Sequence, residues 1–312
     1  MKIRTVAAVL AALVAVTALA LCLRRTAPKE DPVFLIGMSQ ANLVEPWRVT
    51  MNLEFQEAAQ KYDNLRVIYT DGAQDTRRQI ADVEMLMGYG IDLLVISPND
   101  SEALRPVLAD VYRQIPVIVL DRAISGEDYT LFIGPDNDRI GYLAGERVIE
   151  ALGEAGGTVV QILGTADSPP VAARQAGFQR ALTDHSEIHM EDVLSANWLQ
   201  DQAQDRFKEY LVVHGKGADI VAAQNDAMAY GAWLAADSLR IKGITFMGVD
   251  GLEGTDGGID LVNRGILDST IYCPTGGSQA IEYSMRVLSG EVLREKQLIL
   301  EPRIIVGEGA GS

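Results

Sequence analysis

Six residues of this chain pair a side chain suited to gripping a polyol with a position at the end of an apolar run. They are Trp47, Arg48, Asp121, Arg122, Trp198 and Asp250. An aspartate carboxylate accepts from two hydroxyls at once, and the arginine fork donates to two oxygens, so the two together read hydroxyl stereochemistry. An indole offers a flat apolar face that suits the C–H face of a sugar ring, plus one N–H for a polar partner. The most telling stretch is Val117-Ile118-Val119-Leu120-Asp121-Arg122. Its apolar part reads as a strand buried on both faces of a parallel sheet. Ligands of open α/β sheets bind just beyond the carboxyl ends of such strands. On this hexapeptide alone, a surface ion pair closing a strand accounts for Asp121 and Arg122 equally well.

The elements that must position these residues alternate along the chain. Strand patterns at 33–39, 65–71, 91–97, 115–120 and 130–133 are interleaved with helical patterns at 46–62, 76–87, 101–113 and 136–152. Further strands are expected at 158–163, 191–196, 220–223, 245–249 and 269–272, with helices at 172–183, 199–214, 226–238, 256–263 and 276–288. Repeated βαβ units imply parallel sheets covered by helices on both faces. Roughly ten strands with a break near Pro135 suit two doubly wound sheets better than one. The strand ends collect Ser39-Gln40, Asp71, Ser97, Asp121-Arg122, Gly164, Asn225-Asp226, Asp250 and Cys273. Asp71 and Asp226 read as turn or cap residues, and Asp250-Gly251 fits a simple turn as well as a site.

Composition excludes several classes. Lys plus Arg number 27 against 43 Asp plus Glu, a net charge of −16, which disfavours binding to nucleic acid phosphates. No strand is followed by GxGxxG and there is no GxxxxGK[ST], so a nucleotide cofactor has no support and none is expected. His185, His189 and His214 lie apart in polar sequence, without metal-ligand spacing. Cys22 and Cys273 are the only cysteines, which leaves the body without an internal disulfide.

Residues 1–25 read as an export segment. Lys2 and Arg4 precede Thr5–Leu23, 19 residues without a charge, and Arg24-Arg25 follow. A signal peptide cleaved after Ala18-Leu19-Ala20, an uncleaved membrane anchor and a lipoprotein signal ending at Cys22 all remain open. Each places the body outside the cytoplasm. Residues 26–32 form a polar linker with two prolines.

Seven short motifs in order carry a family resemblance: Val33–Gln40, Pro46-Trp47-Arg48, Leu120-Asp121-Arg122, Pro135-Asp136-Asn137, Arg174–Phe178, Ala223–Met228 and Gly248–Gly251. Over about 33–308 the body resembles a periplasmic sugar-binding protein of the ribose-binding type. The Gly-x-Ser-Gln…Trp-Arg opening is nearest to the galactofuranose-binding branch. The resemblance implies two α/β lobes joined by three crossings, near Pro135, near Cys273-Pro274 and near 291–296. The lobes would be 33–135 plus about 274–293, and 136–273 plus about 294–308. It implies sugar contacts from Trp47 and Trp198 flanking the ring, and from Arg48, Asp121, Arg122, Arg174, Asn225 and Asp250 at the hydroxyls. Gln40, Glu45, Asn137 and Cys273 complete the expected set. Cys273 stands where ribose binders place a glutamine, and a thiol is a poor hydrogen-bond partner. The implied partners are a monosaccharide and an ABC transporter permease. Alternatively, a chain tethered by its N-terminal segment would report sugar occupancy to a membrane kinase or chemoreceptor. Asp121 and Asp250 could be posed as a hydrolytic carboxylate pair, but the resemblance assigns both to binding, so no catalysis is expected.

Overall fold

The computed structural model describes residues 32–166 and 168–307; the export segment, and the linker apart from Pro32, lie outside the described residues. In chain order the first elements are β1 (Phe34–Gln40), α1 (Pro46–Ala59), β2 (Leu65–Asp71), α2 (Thr76–Gly88), β3 (Leu93–Ile96), α3 (Ser101–Tyr112), β4 (Val117–Leu120) and β5 (Leu131–Pro135). After them come α4 (Asn137–Leu152), β6 (Gly157–Leu163), α5 (Pro169–Ala181), β7 (Ile188–Ser195), α6 (Gln200–His214), β8 (Ile220–Ala223) and α7 (Asp226–Ser238). The chain closes with β9 (Thr245–Asp250), α8 (Gly258–Asn263), β10 (Ser269–Tyr272), α9 (Gly277–Leu288), β11 (Gln297–Leu300) and β12 (Arg303–Val306).

Two six-stranded sheets result, in the orders β11-β5-β4-β3-β1-β2 and β12-β10-β9-β8-β6-β7. Their central strands β3, β4 and β8 are buried along their whole length. Such Val-, Ile- and Leu-rich runs need a helix layer on each face to be stable, and the alternating helices supply both. Proline at the first turn starts α1 and α5, where its missing N–H costs no helical bond. The architecture is therefore α/β with two doubly wound lobes, and the chain crosses between them three times.

Two crossings lie where expected, at Asp136 and at 273–276, between β10 and α9. The third does not: β11 pairs with β5 in the first sheet and β12 with β10 in the second, so this crossing is Glu301-Pro302 rather than 291–296. The segment expected to belong wholly to the second lobe is divided between the lobes. β12 also runs antiparallel to β10, an exception to an otherwise parallel pattern. β11 and β12 are four-residue edge strands, half-exposed and separated by two residues. Their period resembles one continuous run, and only pairing with a neighbour assigns each half to its sheet.

Candidate ligand-binding site

The carboxyl ends of strands in both sheets face one cavity, lined by Glu45, Trp47, Arg48, Asp121, Arg122, Pro170, Arg174, Trp198, Asn225 and Asp250. Nine of the twelve residues expected at a site thus converge on a single space. Asp121 and Arg122 are only 8% and 6% exposed, which overturns the reading of a surface ion pair.

On the first-lobe wall, Arg48 is the organising cation. From the first turn of α1, its Nη2 donates to Asp121 Oδ2 at 2.8 Å, and its Nη1 donates to Ser97 Oγ at 2.6 Å and Gln40 Oε1 at 3.1 Å. Its Nε sits 3.4 Å from Glu45 Oε2. Burial pulls the Arg48 pKa down, but the charges of Asp121 and Glu45 outweigh it, so this guanidinium is held more firmly protonated than usual. Arg122 is different: burial, and then the nearby Arg48, lower its pKa, and Asp121 only partly offsets them. Its Nη1 donates to the Asn99 carbonyl. Asn42 Nδ2 holds Glu45 Oε1 at 2.7 Å.

On the second-lobe wall, Arg174 projects from α5. Its Nε donates to Asn137 Oδ1 at 2.8 Å, its Nη1 to the Gln224 carbonyl, and its guanidinium lies 5.4 Å from the centre of the Trp198 ring. The Trp198 indole packs against Gly164, where a Cβ would come within 2.0 Å of the ring. The strand-end glycine is there because the indole fills its side-chain space. Asn225 caps α7 by accepting from Met228 N at 2.8 Å and donates to the Trp198 carbonyl at 3.1 Å. Burial pushes the Asp250 carboxyl well above the usual carboxylate range, and the neighbouring Asp226 adds to this.

Three of the lining residues, Asp121, Trp198 and Asp250, hold positive φ angles of 66°, 68° and 125°. Such backbone is costly away from glycine and collects at binding sites, where the surrounding packing enforces it. Among the described residues, the buried Nε of Arg48, Nε of Arg122 and Nε1 of Trp198 have no hydrogen-bond acceptor in the protein. Buried donors are normally satisfied, so these two on the first-lobe wall and one on the second are left to meet oxygens from elsewhere. Three guanidinia share the cavity with the carboxyl groups of Glu45, Asp121 and Asp250, a set of donors and acceptors that fits a hydroxyl-rich molecule.

Three expected contacts do not line the cavity. Gln40 is buried behind Arg48 and accepts from it; Asn137 buttresses Arg174; Cys273 lies 1% exposed with its Sγ 3.5 Å from Arg174 Nη2. Strand-end position alone does not separate a lining residue from one a layer behind it. Cys273 also has its thiol pKa raised by burial, so it stays protonated. Asp226 is not a cap; Asn225 is, and the Asp226 carboxyl group is buried. Asp71 does form the expected turn, accepting from Ala73 N at 2.8 Å. Pro170, Asn42 and the support from Ser97 went unread. Ser97 had a weak signal as a strand-end hydroxyl, but nothing in the order of residues links it to Arg48, 49 positions away.

Comparisons with known proteins agree with the two-lobed fold. A family model described as "Periplasmic binding protein domain" matches residues 36–291. The ribose import binding protein RbsB of Escherichia coli (strain K12) is 30% identical over 295 residues, covering 92% of this chain and 95% of its own. The fructose-binding periplasmic domain of the hybrid two-component system BT1754 superposes with a TM-score of 0.83 at 32% identity, covering 89% of this chain and 92% of that one. An ABC transporter solute-binding protein from Mycobacterium smegmatis, solved with bound glycerol, superposes with a TM-score of 0.82 at 27% identity, covering 89% and 96%. The chain belongs to the periplasmic binding protein domain family.

Proposed function

We propose that this protein captures one monosaccharide between its lobes, outside the cytoplasm, and delivers it to an ABC transporter without chemical change. The observation that carries the reading is the cavity that brings together two indoles, three guanidinia and three carboxyl groups from both lobes. Trp47 and Trp198 flank the ring; Arg48, Asp121, Arg122, Arg174, Asn225 and Asp250 engage hydroxyls, and Glu45 borders them. Ligand that touches both walls gains contacts only when the lobes are together, so binding shifts an open–closed equilibrium about the three crossings. Micromolar capture corresponds to about −8 kcal/mol. A few charge-assisted bonds at ~1.5–3 kcal/mol each, with two stacked faces, supply that after entropy losses. Titration calorimetry with a pentose, hexose and furanose panel tests the reading; no saturable heat from any sugar would sink it.

A second reading is favoured by the likeness to a fructose-binding domain of a two-component system. Tethered through its N-terminal segment, the same domain would report sugar occupancy to a membrane kinase. Mass spectrometry of the membrane-bound mature protein decides whether residues 5–23 persist, as tethering requires. Among the described residues, no helix is long and apolar enough to cross a membrane.

A further inference from the structure

Asp226 carries a buried carboxyl group that does not line the cavity, yet its neighbourhood is shaped around it. Its Oδ2 accepts from the Gly251 amide at 2.8 Å, and its Oδ1 accepts from Thr270 Oγ1 at 2.6 Å. The same Thr270 hydroxyl oxygen lies 3.1 Å from Gly251 N. Glycines make the room: a Cβ on Gly248 would fall 2.1 Å from Oδ1, and one on Gly258 2.0 Å from Oδ2. The carboxylate therefore joins the start of α7 to the turn after β9 and to β10. Gly251 is the residue directly after Asp250, whose φ of 125° is unfavourable for a side-chain-bearing residue. Such a conformation persists only where its surroundings over-determine it. A short bond from the next amide to a buried carboxyl oxygen, in a dry environment, is a strong device for that purpose.

We infer that Asp226 is a positioning residue of the sugar site: by clamping the Gly251 amide it fixes the Asp250 backbone and so aims the Asp250 carboxylate into the cavity. This rests on the monosaccharide reading for its binding consequence. The clamp itself is read separately.

The experiment uses the whole chain, with D-ribose, D-fructose and D-galactose as calorimetric probes and amide hydrogen exchange of the peptide over 249–252 as a sugar-free readout. D226A removes the acceptor, and G258A displaces it without altering charge. Both should speed exchange at 250–252 and weaken the binding sugar at least about tenfold, the cost of an unmet buried partner. D226N keeps an oxygen for Gly251 and should return affinity to within about threefold of wild type. F207L, a core truncation in the same lobe, controls for stability: it should lower Tm without comparable loss of affinity. D226A with wild-type exchange at 250–252 overturns the inference whether or not any sugar binds. Faster exchange with undiminished affinity also overturns it, as does D226N as weak as D226A, or F207L losing affinity as much as D226A. Failure of all three sugars with the wild type counts instead against the monosaccharide reading, while exchange still decides the clamp.

Discussion

The indole Nε1 of Trp47 donates to the backbone carbonyl of Cys273 at 2.8 Å, joining residues 226 positions apart. Trp47 belongs to the first-lobe wall of the cavity, whereas Cys273 begins the second crossing between the lobes. An aromatic side chain that lines the cavity is thus tied to a crossing between the lobes. Trp47→Phe keeps a flat face but leaves that buried carbonyl unmet, a cost of about 1–3 kcal/mol. Calorimetry should show weaker sugar binding and thermal melting a lower Tm; unchanged values for both would mean the bond carries no energy.

Asp121 is paired more closely with Arg48, at 2.8 Å, than with its neighbour Arg122, at 3.9 Å. Asp121→Ala leaves the buried Arg48 guanidinium its neutral partners Ser97 and Gln40, with the longer Glu45 contact as its remaining carboxylate. Breaking a buried pair from one side costs about 3–5 kcal/mol. The variant should lose binding and also denaturant stability, by equilibrium urea unfolding. Loss of binding with full stability would show that water reaches Arg48.

Two of the three tryptophans, Trp47 and Trp198, border the cavity. Sugar binding should change intrinsic fluorescence saturably. The change should shrink in Trp47→Phe and Trp198→Phe but not in Trp233→Phe, measured at saturating sugar; equal signals from all three variants would place the ligand elsewhere.

The Cys273 thiol is buried and kept protonated, and the thiolate is the nucleophile in disulfide exchange. An aromatic disulfide reagent should label it, by peptide mapping, only after denaturation. Rapid labelling of the native protein would mean that the lobes part widely enough to wet the crossing.

Burial raises the Asp226 pKa to about 7, against the opposing Thr270, Gly251 and Arg174. A folded-state value above the unfolded 3.8 means that the native protein holds this proton more tightly than the unfolded chain. Its contribution to stability is therefore full below about pH 4 and is lost as pH rises toward about 7. Asp226→Asn has no such proton, so its Tm relative to wild type should rise between pH 4 and 7. A difference that stays flat over that range would show that Asp226 titrates normally.

Much of the fold was readable from order alone, because each apolar run and each amphipathic stretch carries its own period. Val117–Leu120 announced a doubly covered strand without help from distant residues. The C-terminal strands did not, since Gln297–Leu300 and Arg303–Val306 are too short and too close together for a period to separate them. Resemblance then named most of the cavity wall, as Asp121, Arg174 and Asp250 sit in recognisable motifs.

Residue types and spacing by themselves pointed to two doubly wound α/β sheets and put side chains that suit a polyol at the strand ends. Tertiary structure alone decided depth. It placed Gln40, Asn137 and Cys273 a layer behind the wall, paired Asp121 with Arg48, and turned Asp226 from an apparent cap into a buried clamp. Strand periodicity specifies the face and edge on which a side chain emerges. Whether that side chain reaches a cavity or another residue depends on what packs across from it, and those partners lie tens to hundreds of residues away.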